Sequence, residues 1–442
     1  MAFIKSDFLK NAGVLFSSTG IAQLIAFLLI PLLAFLYPPE VHGVAALFTS
    51  IVSVCVAFAG FQYEQAIIVE GNREKAKHLM YLSIILTLAW ALFFYLVLLF
   101  FQPAINAFFN LKGSGSWMYL VPVTIVFTSV TEILVSWYNR DRSYKKLAVN
   151  RVMGMVSGSA YKVVHPFAKL VGGNGLILGH IVGQALQMIL LAPFKKLSQF
   201  RLNVSTLREV AKEYRAFPKL ATPSALVNII GTYMPVFLIT AMISEEMTGF
   251  YSNAIKLTFI PLSAISYAVG QVFFERLARL RDNPDERKKL SSDLLRFLFF
   301  LSVIPVTVLM IWGDELVTLI LGSDWSTSGR IAQITVVFYF AMYLTGPFSA
   351  AFEVFNALQR QLWYTASFAV LTTLALFITL KMTGNIYFAL MAHAFVGIII
   401  RLLMLVDCFN LIGLSSFMRI LKGILILGGL TLLLAAIKFA LT

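Results

Sequence analysis

Thirteen runs of roughly 20 predominantly apolar residues follow one another along the 442-residue chain, each long enough to cross a hydrocarbon layer about 30 Å thick as a helix. No other feature restricts the fold as much. Hydrocarbon offers no partner for a free backbone amide, so only helices and closed barrels span it, and the short alternating strands of a barrel do not occur in the sequence. The runs fall at about 11–36, 44–68, 78–101, 118–138, 147–169, 175–194, 220–243, 250–274, 294–312, 330–356, 362–382, 386–410 and 420–441. The chain therefore reads as an all-α polytopic membrane protein. With 59% hydrophobic and 13% charged residues it lies outside the soluble-domain range. The first apolar run, Gly13 to Tyr37, is too long for a cleavable signal and lacks a small-residue cleavage site, so it is expected to remain as a span. Cys55 and Cys408 both sit in apolar runs, which indicates neither a disulfide framework nor a thiolate metal site. No cofactor is expected.

The net charge of +14 raises the question of nucleic acid, and its distribution answers it. Of 35 Lys and Arg, 26 fall in the N-terminal tail and in alternate loops, at 5 and 10, 73–77, 140–146, 195–219, 276–296, 360, and 419 and 422. That alternation is the positive-inside pattern, so the N-terminus is expected in the cytoplasm and the basic loops against anionic membrane lipid. Nucleic acid is not expected as a partner. Thirteen spans then place the C-terminus outside.

The longest polar interruption, 195–219, contains "TLREVAKEYRAFP", in which Thr206 and Glu209 have capping-box spacing and Pro218 is expected to stop the helix. It reads as an interfacial helix joining two similar halves. "EVHG" (Glu40 to Gly43) is followed by Gln65, and "EMTG" (Glu246 to Gly249) by Gln271, with 22 residues from Gly to Gln in both. "EILVSWYNRDRSY" ends the fourth span and "EVFNALQRQLWY" the tenth. "GNGLILGHIVG" lies in the sixth span and "GNIYFALMAHAFVG" in the twelfth. Three matches in the same order point to a six-plus-six parallel repeat. The expected organisation is a six-helix lobe at 1–200, a linker helix at 201–219, a second six-helix lobe at 220–410 and one extra C-terminal helix within 411–442.

The segments "YRAFPKLATPSALVNIIGTYMPVFLI", "GFYSNAIKLTFIPLSAISYAVGQVFFERL" and "LILGSDWSTSGRIAQI" carry a resemblance that extends over about residues 8–410. In these the chain resembles the Wzx-type polysaccharide flippases of the multidrug/oligosaccharidyl-lipid/polysaccharide exporter superfamily. The resemblance implies two six-helix lobes around a central cavity and alternating access in a bacterial inner membrane. It also implies a cargo of oligosaccharide repeat units on undecaprenyl diphosphate, for O-antigen or other surface polysaccharide, and contact with polymerase or other assembly proteins.

Within the fifth span, "NRVMGMVSGSAYKVVHPFAKLVGG" carries Arg151, Lys162, His165 and Lys169. At 100° per residue all four share one face, about 27 Å long, with Gly154 and Gly158 on or beside it, leaving room next to the charge. Pro166 withholds an amide hydrogen, frees the carbonyl of Lys162 and suggests a kink. A mid-span cation costs about 2.5–3.5 kcal/mol to insert, so such a residue faces a partner or a wet cavity. The partner could be structural, because Glu64 and Glu132 lie in other spans of the same half. The matching eleventh span, "LWYTASFAVLTTLALFITL", has no charge, so the scaffold does not require one there. The functional reading is a cationic track for the substrate diphosphate, faced from the second half by Lys256, at a position often basic in the resembling family, and by Arg401, towards the cytoplasmic half of its span, where snorkelling is the default. Glu64, Glu132 and Glu353 are candidates for a coupling ion or for ion pairs, and Glu353 could equally mark a helix end. His180 and His393 read as satisfied interior histidines.

Two rivals compete. A cation-coupled drug or metabolite exporter of the same superfamily predicts a cavity led by acids and aromatics. A membrane enzyme acting on lipid-linked sugars would need clustered acid, base or metal residues in a sizeable loop, and the outside loops are short.

Overall fold

The computed structural model describes residues 25–111, 115–168, 173–192, 203–415 and 417–441. Among the described residues it is helical throughout. The helices are α1 (Ile30–Leu36), α2 (Pro39–Ala59), α3 (Tyr63–Val69), α4 (Arg73–Phe108), α5 (Val121–Arg140), α6 (Tyr144–Val164), α7 (Gly175–Leu191), α8 (Val204–Glu213), α9 (Thr222–Met242), α10 (Glu245–Arg279), α11 (Pro284–Leu321), α12 (Ser326–Thr345), α13 (Ala350–Val354), α14 (Leu358–Thr383), α15 (Ile386–Ile412) and α16 (Phe417–Leu441). Nine described helices are long and apolar enough to cross a membrane, and Ile25–Leu36, Gly175–Leu191 and Leu425–Phe439 are shorter apolar ones. The charged α6 completes the thirteen segments expected from the sequence.

Local sequence sets the helix ends. Asn174 caps α7 by accepting from the amides of Leu176 and Ile177, and Asn385 caps α15 in the same way through Tyr387 and Phe388. These are the two asparagines of the repeated Gly-Asn signature. The second expected span is broken: α2 ends at Gly60, and Phe61 and Gln62 take left-handed φ values of 49° and 59° before α3 begins. Gln62 donates its side-chain amide to the Ala57 carbonyl at 3.2 Å, which satisfies one acceptor freed by the break. In the linker, the cap of α8 is Asn203, which accepts from Ser205 N, and not Thr206. Pro218 does not stop α8, which ends at Glu213; it starts the wide turn Phe217–Ala221 that leads into α9. The fifth span also ends earlier than expected, because α6 closes at Val164 with His165 as its C-cap.

Packing divides the chain into two units, Met1–Gly249 and Phe250–Thr442. In the first, α9 and the opening turn of α10 pack with α2, and here the repeat shows itself in three dimensions. A Cβ at Gly43 would run into the Glu245 carbonyl, and one at Gly249 into the Pro39 carbonyl. The contact is reciprocal, because 245 − 39 and 249 − 43 are both 206. The two repeated Gly motifs therefore touch each other. The linker helix α8 is tied to this unit as well: Tyr63 donates to the Ala211 carbonyl at 3.0 Å, Tyr214 to Glu70 at 2.9 Å, and Lys75 reaches both Glu209 and Glu213. In the second unit, a core of Phe273, Phe340, Phe352 and Phe409 holds α10, α12, α13 and α15 together.

Candidate functional site

The charged face of α6 is also a packing face. Gly154 and Gly158 meet Gly179 and Gly183 of α7: a Cβ at Gly158 would lie 2.7 Å from the Gly179 carbonyl, and one at Gly183 2.7 Å from the Gly154 carbonyl. Small residues four apart on both helices let the backbones touch, as at many membrane helix crossings. Lys162 is one turn further on, and its aliphatic stem lies over the bare surface of Gly179, with His180 as an electrostatic neighbour. Lys162 sits about one turn, roughly 6 Å, below the Gly175 end of α7, shallower than the mid-span depth read from the sequence. The carbonyl that Pro166 frees on Lys162 does acquire a partner, the Tyr37 hydroxyl, at 2.7 Å. His165 packs against Gly175 and Tyr161; it is buried, and its Nε2 has no hydrogen-bond partner among the described residues. Arg151 is exposed towards the start of α6, away from this cluster. Lys169 lies outside the described residues.

Among the described residues no carboxylate lies within ion-pair distance of Lys162 or His165. Glu64 and Glu132 instead neighbour each other, across α3 and α5. Glu64 lies against Gly60 at the break between α2 and α3, and its Oε2 is buried without a hydrogen-bond partner.

In the second unit a pocket of about 520 Å³ is lined by Arg401, Glu353, Gln271, Tyr267 and Ser263, together with neighbours from α10, α12 and α13. Arg401 lies 15 residues into the 27-residue α15, near the middle of the span. It does not snorkel. Its guanidinium carbon lies 4.6 Å from the Phe368 ring centroid, and its Nε is buried without a hydrogen-bond partner. Glu353, in the last turn of α13, shares the pocket but makes no ion pair with Arg401. Lys256 lies elsewhere on α10, donating to Asn253 Oδ1 at 3.0 Å. His393 is held by the Thr372 carbonyl at 3.2 Å and by the edge of Phe338, a satisfied interior histidine.

Each unit thus holds a cation, Lys162 near a helix end and Arg401 near the middle of its span, without a carboxylate partner among the described residues, on a helical scaffold of membrane-spanning length. Residues 32–330 match the family described as polysaccharide biosynthesis protein. The chain belongs to that family. Within it, the chain is 20% identical over 319 residues to the stage V sporulation protein B of Bacillus subtilis (strain 168), covering 65% of this chain and 60% of that protein. It is 23% identical over 146 residues to a putative O-antigen transporter of Shigella flexneri, covering 31% of this chain and 34% of that protein. The chain therefore spans less than two thirds of either relative's length in these matches. Among solved structures it superposes on the lipid II flippase MurJ in an inward closed conformation with a TM-score of 0.75 at 14% identity, covering 97% of this chain and 92% of that one. The Vibrio cholerae MATE transporter VcmN in its bent form gives 0.55 at 13% identity, covering 91% and 97%. At these identities the solved structures show the fold alone, which this chain shares with a lipid II flippase and a MATE transporter.

Several features of the site escaped the sequence. Gln271, Glu353 and Arg401 meet in one pocket although they are up to 130 residues apart. The only signal was the repeat, in which Gln271 and Glu353 correspond to Gln65 and Glu132. Tyr37 carried no signal, because its partner is a backbone carbonyl.

Proposed function

We propose that this protein is a flippase that moves undecaprenyl-diphosphate-linked oligosaccharide repeat units from the cytoplasmic to the periplasmic leaflet of a bacterial inner membrane by alternating access, for O-antigen or other surface polysaccharide. The observation that carries the reading is Arg401: a guanidinium near the middle of its span, in a pocket shared with Glu353, Gln271, Tyr267 and Ser263, with a buried Nε that no described residue satisfies. A buried cation persists in a membrane protein when a ligand or water completes it, and phosphate oxygens are strong partners for guanidinium and ammonium groups. Lys162 and His165 supply the corresponding donors in the first unit, and Lys256, Arg151 and Lys169 remain secondary candidates. The six-helix repeats at 1–200 and 220–410 are the two lobes of this reading, with the N-terminus in the cytoplasm. The relative named as a putative O-antigen transporter, and the likeness to a lipid II flippase, both support a lipid-linked glycan as cargo.

The test is depletion of the protein followed by assay of leaflet location. Lipid-linked repeat units should accumulate in the cytoplasmic leaflet and be released by re-expression; repeat units that still reach the periplasmic leaflet at the normal rate would overturn the proposal. A Lys162→Ala variant that inserts normally should also fail to restore export. A second reading, a cation-coupled drug or metabolite exporter, is favoured by the adjacent Glu64 and Glu132 and by the MATE likeness. It predicts ion-gradient-driven dye efflux from vesicles containing the protein.

A further inference from the structure

The second unit contains another cavity, separate from the Arg401 pocket. It is a groove of about 700 Å³ walled by α11, α12, α15 and the extra helix α16. Its sides are apolar, with Phe299, Phe300, Phe340, Leu402, Ile426 and Leu427 among them. Its polar side chains, Ser292, Arg296, Thr345 and Ser415, come from the start of α11, the end of α12 and the residues after α15, and so from one end of the helices. That end carries the 276–296 basic loop, which the positive-inside pattern assigns to the cytoplasm. Arg296 is exposed, and no carboxylate among the described residues lies within ion-pair distance of it.

The groove exists because α16 is held off α11 along part of its length. Near its far end Lys438 pairs with Glu315 and donates to the Ile311 carbonyl at 2.9 Å. Nearer the basic end Gly423 faces the Phe299 ring. At about 700 Å³ the groove is too small for another membrane-spanning helix or for a long polyprenyl chain. It has the size of a single acyl chain.

We propose that the groove binds an anionic phospholipid, one acyl chain lying along the Phe299–Leu427 trough and the phosphate meeting Arg296. Because lipid tails are as apolar as the groove walls, the chain is held by van der Waals packing rather than by a hydrophobic gain. The selectivity comes from basic residues at the cytoplasmic ends of membrane helices, which attract acidic headgroups. The lipid would brace α16 against α11. The proposal does not depend on the cargo reading, and its failure would leave that reading untouched.

The experiment is native mass spectrometry of the purified full-length protein in detergent, with phosphatidylglycerol or phosphatidylcholine of matched chains added. Wild type should retain phosphatidylglycerol about fivefold better than phosphatidylcholine. Arg296→Gln should abolish that preference while keeping residual binding of both lipids, and Gly423→Leu, which fills the trough beside Phe299, should lower both. Equal retention of the two lipids by wild type, or an unchanged preference in Arg296→Gln, would overturn the proposal. Complete displacement of phosphatidylglycerol by an equimolar polyprenyl phosphate would also overturn it, since the groove would then hold an isoprenoid tail.

Discussion

Replacing Arg401 by Met removes the charge but keeps an unbranched apolar stem, and the sign of its effect on stability separates two physical pictures. A cation at the centre of a membrane helix costs about 2.5–3.5 kcal/mol to insert, and Arg401 lies about 16 Å from the nearer end of α15. Its stacking on Phe368 returns roughly 0.5–2 kcal/mol, and Met404 Sδ, 4.0 Å from Nη1, adds little. The difference leaves a net destabilisation by the charge of about 0.5–3 kcal/mol. Arg401→Met should therefore stabilise the protein, raising its melting temperature by about 1–12 °C if the second unit melts cooperatively, while export of lipid-linked glycan is lost. Gain of stability with loss of function marks a charge kept for its ligand. If Arg401 were instead one half of a structural ion pair with Glu353, its removal would strand a carboxylate and cost about 3–5 kcal/mol. Fluorescence-detected melting in detergent, run beside an export assay, decides between them. A fall in melting temperature, or unimpaired export, would refute the reasoning.

The glycine contacts make a graded series. Gly154→Ala, whose new Cβ meets only the flexible Gln187 side chain, should cost less than about 1 kcal/mol; Gly158→Ala, which meets the Gly179 carbonyl, should cost about 1–3 kcal/mol; and Gly43→Ala, which runs into backbone at Glu245, should cost the most. Thermal melting should reproduce that order. The Tyr214 hydroxyl is pushed up to about 12, by burial first and then by its hydrogen bond to Glu70. Because the folded value is raised, the stabilisation is complete below the unfolded value near 10 and is lost as pH rises from about 10 through 12. Tyr214→Phe should accordingly lose about 0.5–1.5 kcal/mol at neutral pH, and the gap to wild type should close above pH 12 in denaturation experiments.

The sequence determined the helical, membrane-spanning class, because apolar runs of this length leave the backbone no other way to satisfy itself. It also determined where the charges are, and through the Gly-Asn and Glu-x-x-Gly signatures it disclosed a repeat that becomes physical where Gly43 and Gly249 touch. Pro166 told correctly that the Lys162 carbonyl would be free. What the helical wheel could not tell was which neighbour lies against a face. Gly154 and Gly158 looked like space beside a charge and are instead the seam with α7. Whether Lys162 meets Glu64 and Glu132, or those acids meet each other, depends on the packing of α3, α5 and α6, which no periodicity encodes. Arg401 read as a weaker candidate for the diphosphate, with snorkelling as its default, because depth along a helix was all that the sequence offered. Only the tertiary structure gave the direction of its side chain, onto Phe368 and into a pocket assembled from residues up to 142 positions apart. Periodicity is a property of one helix, whereas a site in a bundle belongs to the contacts between several.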